Sequence, residues 1–183
     1  DFALAPETSL DMDILRPLAE PHQPNGGLTI LSGNLGRAVI KISAVDPTYH
    51  RITAPAAVFD NEADVKAAFT QGRLNGDVAV VVRLQGPQAN GMPELHSLTP
   101  ILTSLQEEGH AVILITDGRM SGASGRVPAA LHVTPEALNG GAIGAIRDGD
   151  IITLDAATGR LSVEADLSQR PQVSSNPFEG GFG

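Results

Sequence analysis

The stretch Leu114–Ala137, LITDGRMSGASGRVPAALHVTPEA, puts two guanidinium groups, two carboxylates and a serine hydroxyl followed by glycine into one connection. An apolar, strand-like run ends at Thr116-Asp117, and Thr134-Pro135-Glu136 reads as a helix start. In the loop between, small residues around Ser121 let a ligand reach the backbone, and exposed amides in such a turn form an anion nest. Arg119 and Arg126 add charge-assisted donors suited to a carboxylate or a phosphate. A plainer reading pairs the arginines with Asp117 and Glu136 and leaves the serines as turn formers. A second loop, Gln85–His96 (QGPQANGMPELH), carries a single carboxylate, Glu94, among glycine and proline. A fixed backbone there suits a metal ligand or a general acid/base. Equally, Glu94 can be a favourable first-turn charge at a helix N-terminus.

Several mechanisms fail on spacing. A nucleophile elbow needs G-x-S-x-G, whereas Gly118 stands three residues before Ser121. A phosphate-binding Walker loop needs lysine, and the only lysines are Lys41 and Lys66. His132, in the apolar setting AALHV, reads as a packed core histidine, and the remaining histidines show no metal-ligand spacing.

Both loops follow apolar runs fit for buried strands, DVAVVVRL and AVILIT, and both lead into helical segments. In α/β proteins, loops beyond the carboxyl ends of strands commonly build ligand sites. Upstream, LTIL and RAVIKISAV are strand-like and joined by the tight link Ser32–Gly36, while RITAPAAVF is a strand that Pro55 should confine to an edge or a bulge. Asn61 is an N-cap for a helix over 62–70, stopped by Gly72. Thr99-Pro100 starts a helix over 101–108, ended by Gly109. A short helix from Pro135 comes after the opening loop. AIGAIRDGDIITLDAATGRLSV reads as strand, Asp-Gly turn, strand, Gly turn, strand. The expected fold is α/β mixed: a β-barrel-like (swivelling-type) domain with two or three flanking helices. It occupies 28–165, between a proline-rich linker or wrapping arm (1–27, with one helical turn near Met12–Leu15) and a flexible C-terminal segment (166–183).

Composition narrows the partners. The 183 residues carry a net charge of −9, which argues against nucleic acid or an anionic membrane surface. There is no cysteine, hence no disulfide and no thiolate ligand. No apolar run approaches the roughly 20 residues of a membrane span, and a cytoplasmic location is expected. The chain starts at Asp1, as an excised piece of a longer protein would.

Four segments in order, SGNLGRAVIKISAV, QGPQANGMPELH, TDGRMSGASGRVPAALHVTPEA and GAIRDGDII, closely resemble the dihydroxy-acid dehydratase / 6-phosphogluconate dehydratase family. The resemblance covers roughly 27–163, and GPQANGMPELH and GRMSGASGRVPAA favour its sugar-acid-phosphate branch. It implies a hydro-lyase that dehydrates 6-phospho-D-gluconate to 2-keto-3-deoxy-6-phosphogluconate in the Entner–Doudoroff pathway. It also implies that this chain is only the C-terminal part, inactive alone, with the family's last helix missing after Gly183. The N-terminal domain of the same enzyme would supply the iron–sulfur cluster ligands and most ligands of a divalent metal, usually Mg2+, and a homodimer is expected. Ser121 matches the family's proposed base and Glu94 a metal ligand. Arg119 and Arg126 are the local cations for phosphate and carboxylate, and Asn34 and Asp117 are further substrate-facing candidates. A serine hydroxyl needs nearby cations or N–H groups to act as a base near neutral pH. Sugar-acid relatives have threonine where this chain has Ala123, a departure that weakens the support expected around Ser121 and leaves open whether the neighbouring Ser124 compensates. Dihydroxy-acid or aldonate specificity, or a non-catalytic anion-binding module of the same fold, are the competing readings.

Overall fold

The computed structural model describes residues 6–22, 24–121 and 125–173. Eight strands close into one barrel: β1 (Leu28–Gly33), β2 (Gly36–Lys41), β3 (Arg51–Phe59), β4 (Val78–Val82), β5 (Val112–Thr116), β6 (Ala129–Thr134), β7 (Ile151–Asp155) and β8 (Arg160–Val163), in the order β1-β2-β6-β5-β4-β3-β7-β8. Strands β3, β4, β5 and β6 run parallel to one another, and the remaining neighbours are antiparallel except for the β1–β8 seam. The mixed α/β barrel expected from the sequence is the observed fold.

Two apolar layers explain the strand patterns. Ala79, Val81, Ile113 and Ile115 point into the barrel beside Leu31, Ile40, Ile52 and Leu154. Val78, Val80, Val82, Val112 and Leu114 point outward, beneath α1 (Glu62–Thr70) and α3 (Thr99–Glu107), against Val65, Leu102 and Leu105. Strands β4 and β5 are therefore buried on both faces, which is why their sequences are continuous apolar runs. Helix α1 is capped as expected, the Asn61 side chain accepting the Asp64 N–H at 2.9 Å. A single short turn, α2 (Pro87–Asn90), lies in the loop after β4.

Pro55 proves not to mark an edge or a bulge. It pairs with Ile151 on β7, while pairing to β4 begins only at Ala56. Because Ala56 directs its N–H to Asp150 O on the β7 side, the missing N–H of Pro55 would have faced the side where no ladder has started. Two further expectations change. Ala129–Thr134, with its AALHV core, is strand β6, and the helix expected from Pro135 is a single 3-10 turn, Ala137–Asn139, after a cis Thr134–Pro135 bond. Ala142–Ala145 is a 3-10 turn rather than a strand. Residues 6–22 form no helix or strand, only turns in which Leu15 N–H donates to Asp11 O and Glu20 N–H to Pro17 O, and they leave Leu10, Ile14, Leu15 and Leu18 exposed. Among the described residues no helix is long and apolar enough to cross a membrane.

Candidate active site

The register brings the carboxyl ends of β3, β4, β5 and β6 to one end of the barrel, together with the β1–β2 turn. The loops after β4 and β5 meet there, joined by an isolated parallel bridge between Glu94 and Arg119. Arg119 Nη1 donates to Glu94 Oε2 at 2.9 Å, and its Nε donates to Met92 O at 2.7 Å. The backbone N–H of Ser121 donates to Glu94 Oε1 at 2.6 Å. A carboxylate, a guanidinium and a serine thus share one surface, the Arg119 and Glu94 side chains 50% and 33% exposed. Met120 is buried between them in sequence, accepting a long contact from Thr99 Oγ1, so α3 anchors the loop.

Three consecutive residues hold this end together. Asp117 is 1% exposed, and its carboxylate accepts N–H groups from Leu84 (3.2 Å), Gln85 (2.9 Å) and Ala137 (2.9 Å). Gly118 accepts the His132 N–H at 3.0 Å, and a Cβ there would lie 2.6 Å from Gln85 Cβ. Arg119 grips Met92 O. Leu84, Met92 and His132 are the non-glycine residues with positive φ among the described residues (62°, 55° and 56°). Each strained residue is therefore bonded by one member of the Asp117–Gly118–Arg119 run. Left-handed conformations of this kind persist only where surrounding structure over-determines them, and they cluster at functional sites.

The candidates from the sequence divide. Glu94, Arg119 and Ser121 come together. Asp117 does not present itself to a ligand; its oxygens are taken up by loop N–H groups, and it positions the other loops. Burial, opposed by those three N–H bonds, raises its carboxyl pKa above the ordinary range. Asn34 is likewise engaged: its amide donates to Val163 O at 2.8 Å and accepts Val163 N–H at 2.9 Å, pinning the β1–β8 seam. Arg126 sits near the other end of the barrel, lining a cleft with Asp46, Tyr49 and Gln106. The reason is topological. Since β5 and β6 are parallel, the segment between them must climb back along the barrel, and its two arginines end up apart rather than in one turn. Neither arginine pairs with Asp117 or Glu136; Arg119 pairs with Glu94. Ala123 and Ser124 lie outside the described residues.

Two positioning groups were not singled out as site candidates from the sequence. Glu136, 7% exposed, accepts the N–H groups of Gln88 and Ala89 at the start of α2. Gly86 makes room for it, since a Cβ would stand 2.1 Å from Glu136 Oε2. Gln85 is buried, donating to Asp60 O (2.7 Å) and accepting from Asn90 Nδ2 (3.0 Å). The hints were the glycines on either side of these groups, Gly86 and Gly118, but a glycine does not name the side chain it admits.

As to a metal, no three His, Asp or Glu side chains gather into a site among the described residues, and the chain has no cysteine for a cluster. Glu94 alone fits a hard divalent cation. It is a partly exposed carboxylate with lone pairs beyond the two used by Arg119 and Ser121, and it could supply one oxygen to a site completed from elsewhere.

A mixed barrel carries a carboxylate, a guanidinium and a serine together at its strand ends. Residues 13–179 match the family Dihydroxy-acid/6-phosphogluconate dehydratase C-terminal, and the chain belongs to it. It is 56% identical over 176 residues to a phosphogluconate dehydratase of Zymomonas mobilis, covering 94% of this chain and 29% of that protein. It is 57% identical to one from Rhizobium meliloti, covering 94% and 28%. A dihydroxy-acid dehydratase of Acetivibrio thermocellus is 41% identical, covering 87% and 29%. The chain thus spans under a third of the length of these curated relatives.

Proposed function

We propose that this chain is the C-terminal domain of a phosphogluconate dehydratase, in which residues 28–165 form the barrel, 1–27 an arm and 166–183 a C-terminal segment. In this reading the whole enzyme converts 6-phospho-D-gluconate to 2-keto-3-deoxy-6-phosphogluconate and water in the Entner–Doudoroff pathway. The observation that carries it is the Glu94–Arg119–Ser121 cluster, in a chain 56% and 57% identical to two relatives of that name. Higher identity to the phosphogluconate relatives than to the dihydroxy-acid one supports the phosphorylated substrate.

Ser121 Oγ takes the proton from the carbon next to the substrate carboxylate. The electrons of that C–H bond form the double bond to the neighbouring carbon, whose hydroxyl takes up the proton handed on by Ser121 and leaves as water, and the enol tautomerises to the 2-keto acid. Arg119 is the cation at hand for the substrate carboxylate and for the ionised serine oxygen before it takes the proton. Glu94 would supply one oxygen ligand to a divalent metal such as Mg2+. That metal and an iron–sulfur cluster, both held mainly by the N-terminal part of the same enzyme, would supply Lewis acidity toward the carboxylate and the leaving hydroxyl. With its ligand set so incomplete, the isolated chain is inactive. The exposed Leu10, Ile14, Leu15 and Leu18 of the arm support a surface that meets the rest of the enzyme. A cytoplasmic homodimer completes the reading.

The test uses the full-length enzyme, purified anaerobically, with 6-phosphogluconate, gluconate and a branched dihydroxy acid as substrates, in wild type and Ser121→Ala. Turnover of the phosphorylated acid alone, abolished in the variant at unchanged cluster content, is expected. Most activity surviving in Ser121→Ala would place the base elsewhere.

A further inference from the structure

His132 lies on strand β6, where its neighbours alternate between the two apolar layers: Ala129 outward, Ala130 inward, Leu131 outward. Regular alternation would send His132 inward and Val133 outward, yet Val133 is in the barrel core and His132 is exposed. Between the pairs Arg37↔Thr134 and Val39↔Leu131, β2 advances two residues and β6 three. His132 is thus the extra residue of a β-bulge, in the left-handed conformation (φ 56°) that glycine adopts without steric cost. Bulges of this kind re-aim a side chain and are common beside active sites. Here the histidine N–H is bonded to Gly118 O, the residue before Arg119, which couples the ring's position to the loop carrying Arg119 and Ser121.

The ring lines a cleft of about 520 Å³ together with Gln88, Met92, Thr134 and Asn139. Asp117 and Glu136 also border it, but their oxygens accept backbone N–H groups. Among the described residues no lysine or arginine lines this cleft. Neutral donors and acceptors without a cation suit hydroxyl groups rather than a second anion. We propose that His132 is a specificity-determining residue that hydrogen-bonds a hydroxyl of the polyol chain of the sugar acid, the cleft beside it being the polyol subsite. This rests on the dehydratase reading above.

The experiment uses the full-length, cluster-loaded enzyme as wild type, His132→Gly and His132→Asn. Each is assayed with gluconate, with 6-phosphogluconate, and with a short dihydroxy acid lacking further hydroxyls, the last as substrate or competitive inhibitor. His132→Gly should keep or raise the unfolding midpoint, since glycine suits the bulge, yet lose at least tenfold in kcat/KM for the polyol acids, mostly through KM. Its kinetics with the short acid should be unchanged. His132→Asn, which tolerates the same backbone and keeps a hydrogen-bonding group, should recover part of the loss. An equal loss for all three acids, or none for the polyols, overturns the proposal while leaving the dehydratase reading intact. Failure of the wild type to turn over any of the acids sinks both.

Discussion

Replacing Asp117 with alanine separates a loop-organising role from a substrate-binding one. The carboxylate is 1% exposed and accepts three backbone N–H groups, two from the loop after β4 and one from the turn after β6. Each buried donor left unpaired costs roughly 1–3 kcal/mol. The simple sum is an upper bound, because alanine also removes the cost of burying a charge and water can enter the space. A net loss of about 3–5 kcal/mol is expected, the range seen when one partner of a buried charged contact is deleted. Asp117→Asn keeps one acceptor oxygen and opposes an amide to the remaining donor or donors, so about 1–3 kcal/mol is expected for it. Urea unfolding of this chain, compared at constant slope, reads both values. The sign of the pH dependence is set by burial, which raises the Asp117 pKa above 3.8 in the folded state. Its linkage contribution is complete below pH 3.8 and is lost as pH rises through the folded-state pKa. Relative to Asp117→Asn, wild-type stability should therefore decline across that window. An alanine variant within about 1 kcal/mol of wild type would refute the view that Asp117 organises three loops.

Gly86→Ala places a Cβ 2.1 Å from Glu136 Oε2, so it should displace Glu136 from the α2 amides and cost about 1–3 kcal/mol, read by thermal or urea unfolding. Asp150 is held below the usual carboxylate range chiefly by its bidentate hydrogen bonds from Arg170. That stabilisation is present above pH 3.8 and fades as pH falls through the lowered pKa, so the advantage of wild type over Arg170→Gln should shrink on acidification, as acid titrations of the unfolding midpoint would report. In the full-length enzyme, Glu94→Gln should weaken divalent-metal binding by at least about tenfold, measured by calorimetry beside activity; unchanged metal affinity would remove Glu94 from the metal site.

How much of this is legible in the sequence depends on whether one residue's environment is set by local pattern. Strands β4 and β5 are legible because a strand buried on both faces is apolar throughout, and α1 because Asn61 and Gly72 mark its ends. Strand β6 is not, since the bulge at His132 breaks the alternation that identifies a strand and turns a histidine in an apolar run out to solvent. Ala142–Ala145 is apolar for another reason, as a buried 3-10 turn whose Ile143 fills the barrel end. Among the site candidates, Glu94, Arg119 and Ser121 stand out by their chemistry and are brought together. Asp117 and Asn34 stand out in the same way, but the backbone groups they bond, those of Leu84, Gln85 and Ala137 and of Val163, are brought to them by the fold and not by local pattern. Arg126 is misplaced for want of topology, because only the parallel arrangement of β5 and β6 forces the chain between them away from the site.

The Asp117–Gly118–Arg119 run explains why the loop is both charged and tightly held. Three adjacent residues use a carboxylate, a carbonyl and a guanidinium to bond Leu84, His132 and Met92, each in a conformation an L-residue rarely adopts. A loop made only to bind an anion would need the cation and exposed amides, not a buried aspartate. A loop made only to close a barrel would need neither an exposed Arg119–Glu94 pair nor Ser121 beside it. Together, the strain of the surrounding loops is borne by the same few residues that position the polar cluster, so loosening any one bond should disturb the geometry of Glu94 and Ser121 without touching either side chain. Of the three, Gly118 is the most exposing test, since a Cβ 2.6 Å from Gln85 would push the two strand-end loops apart while changing no charge.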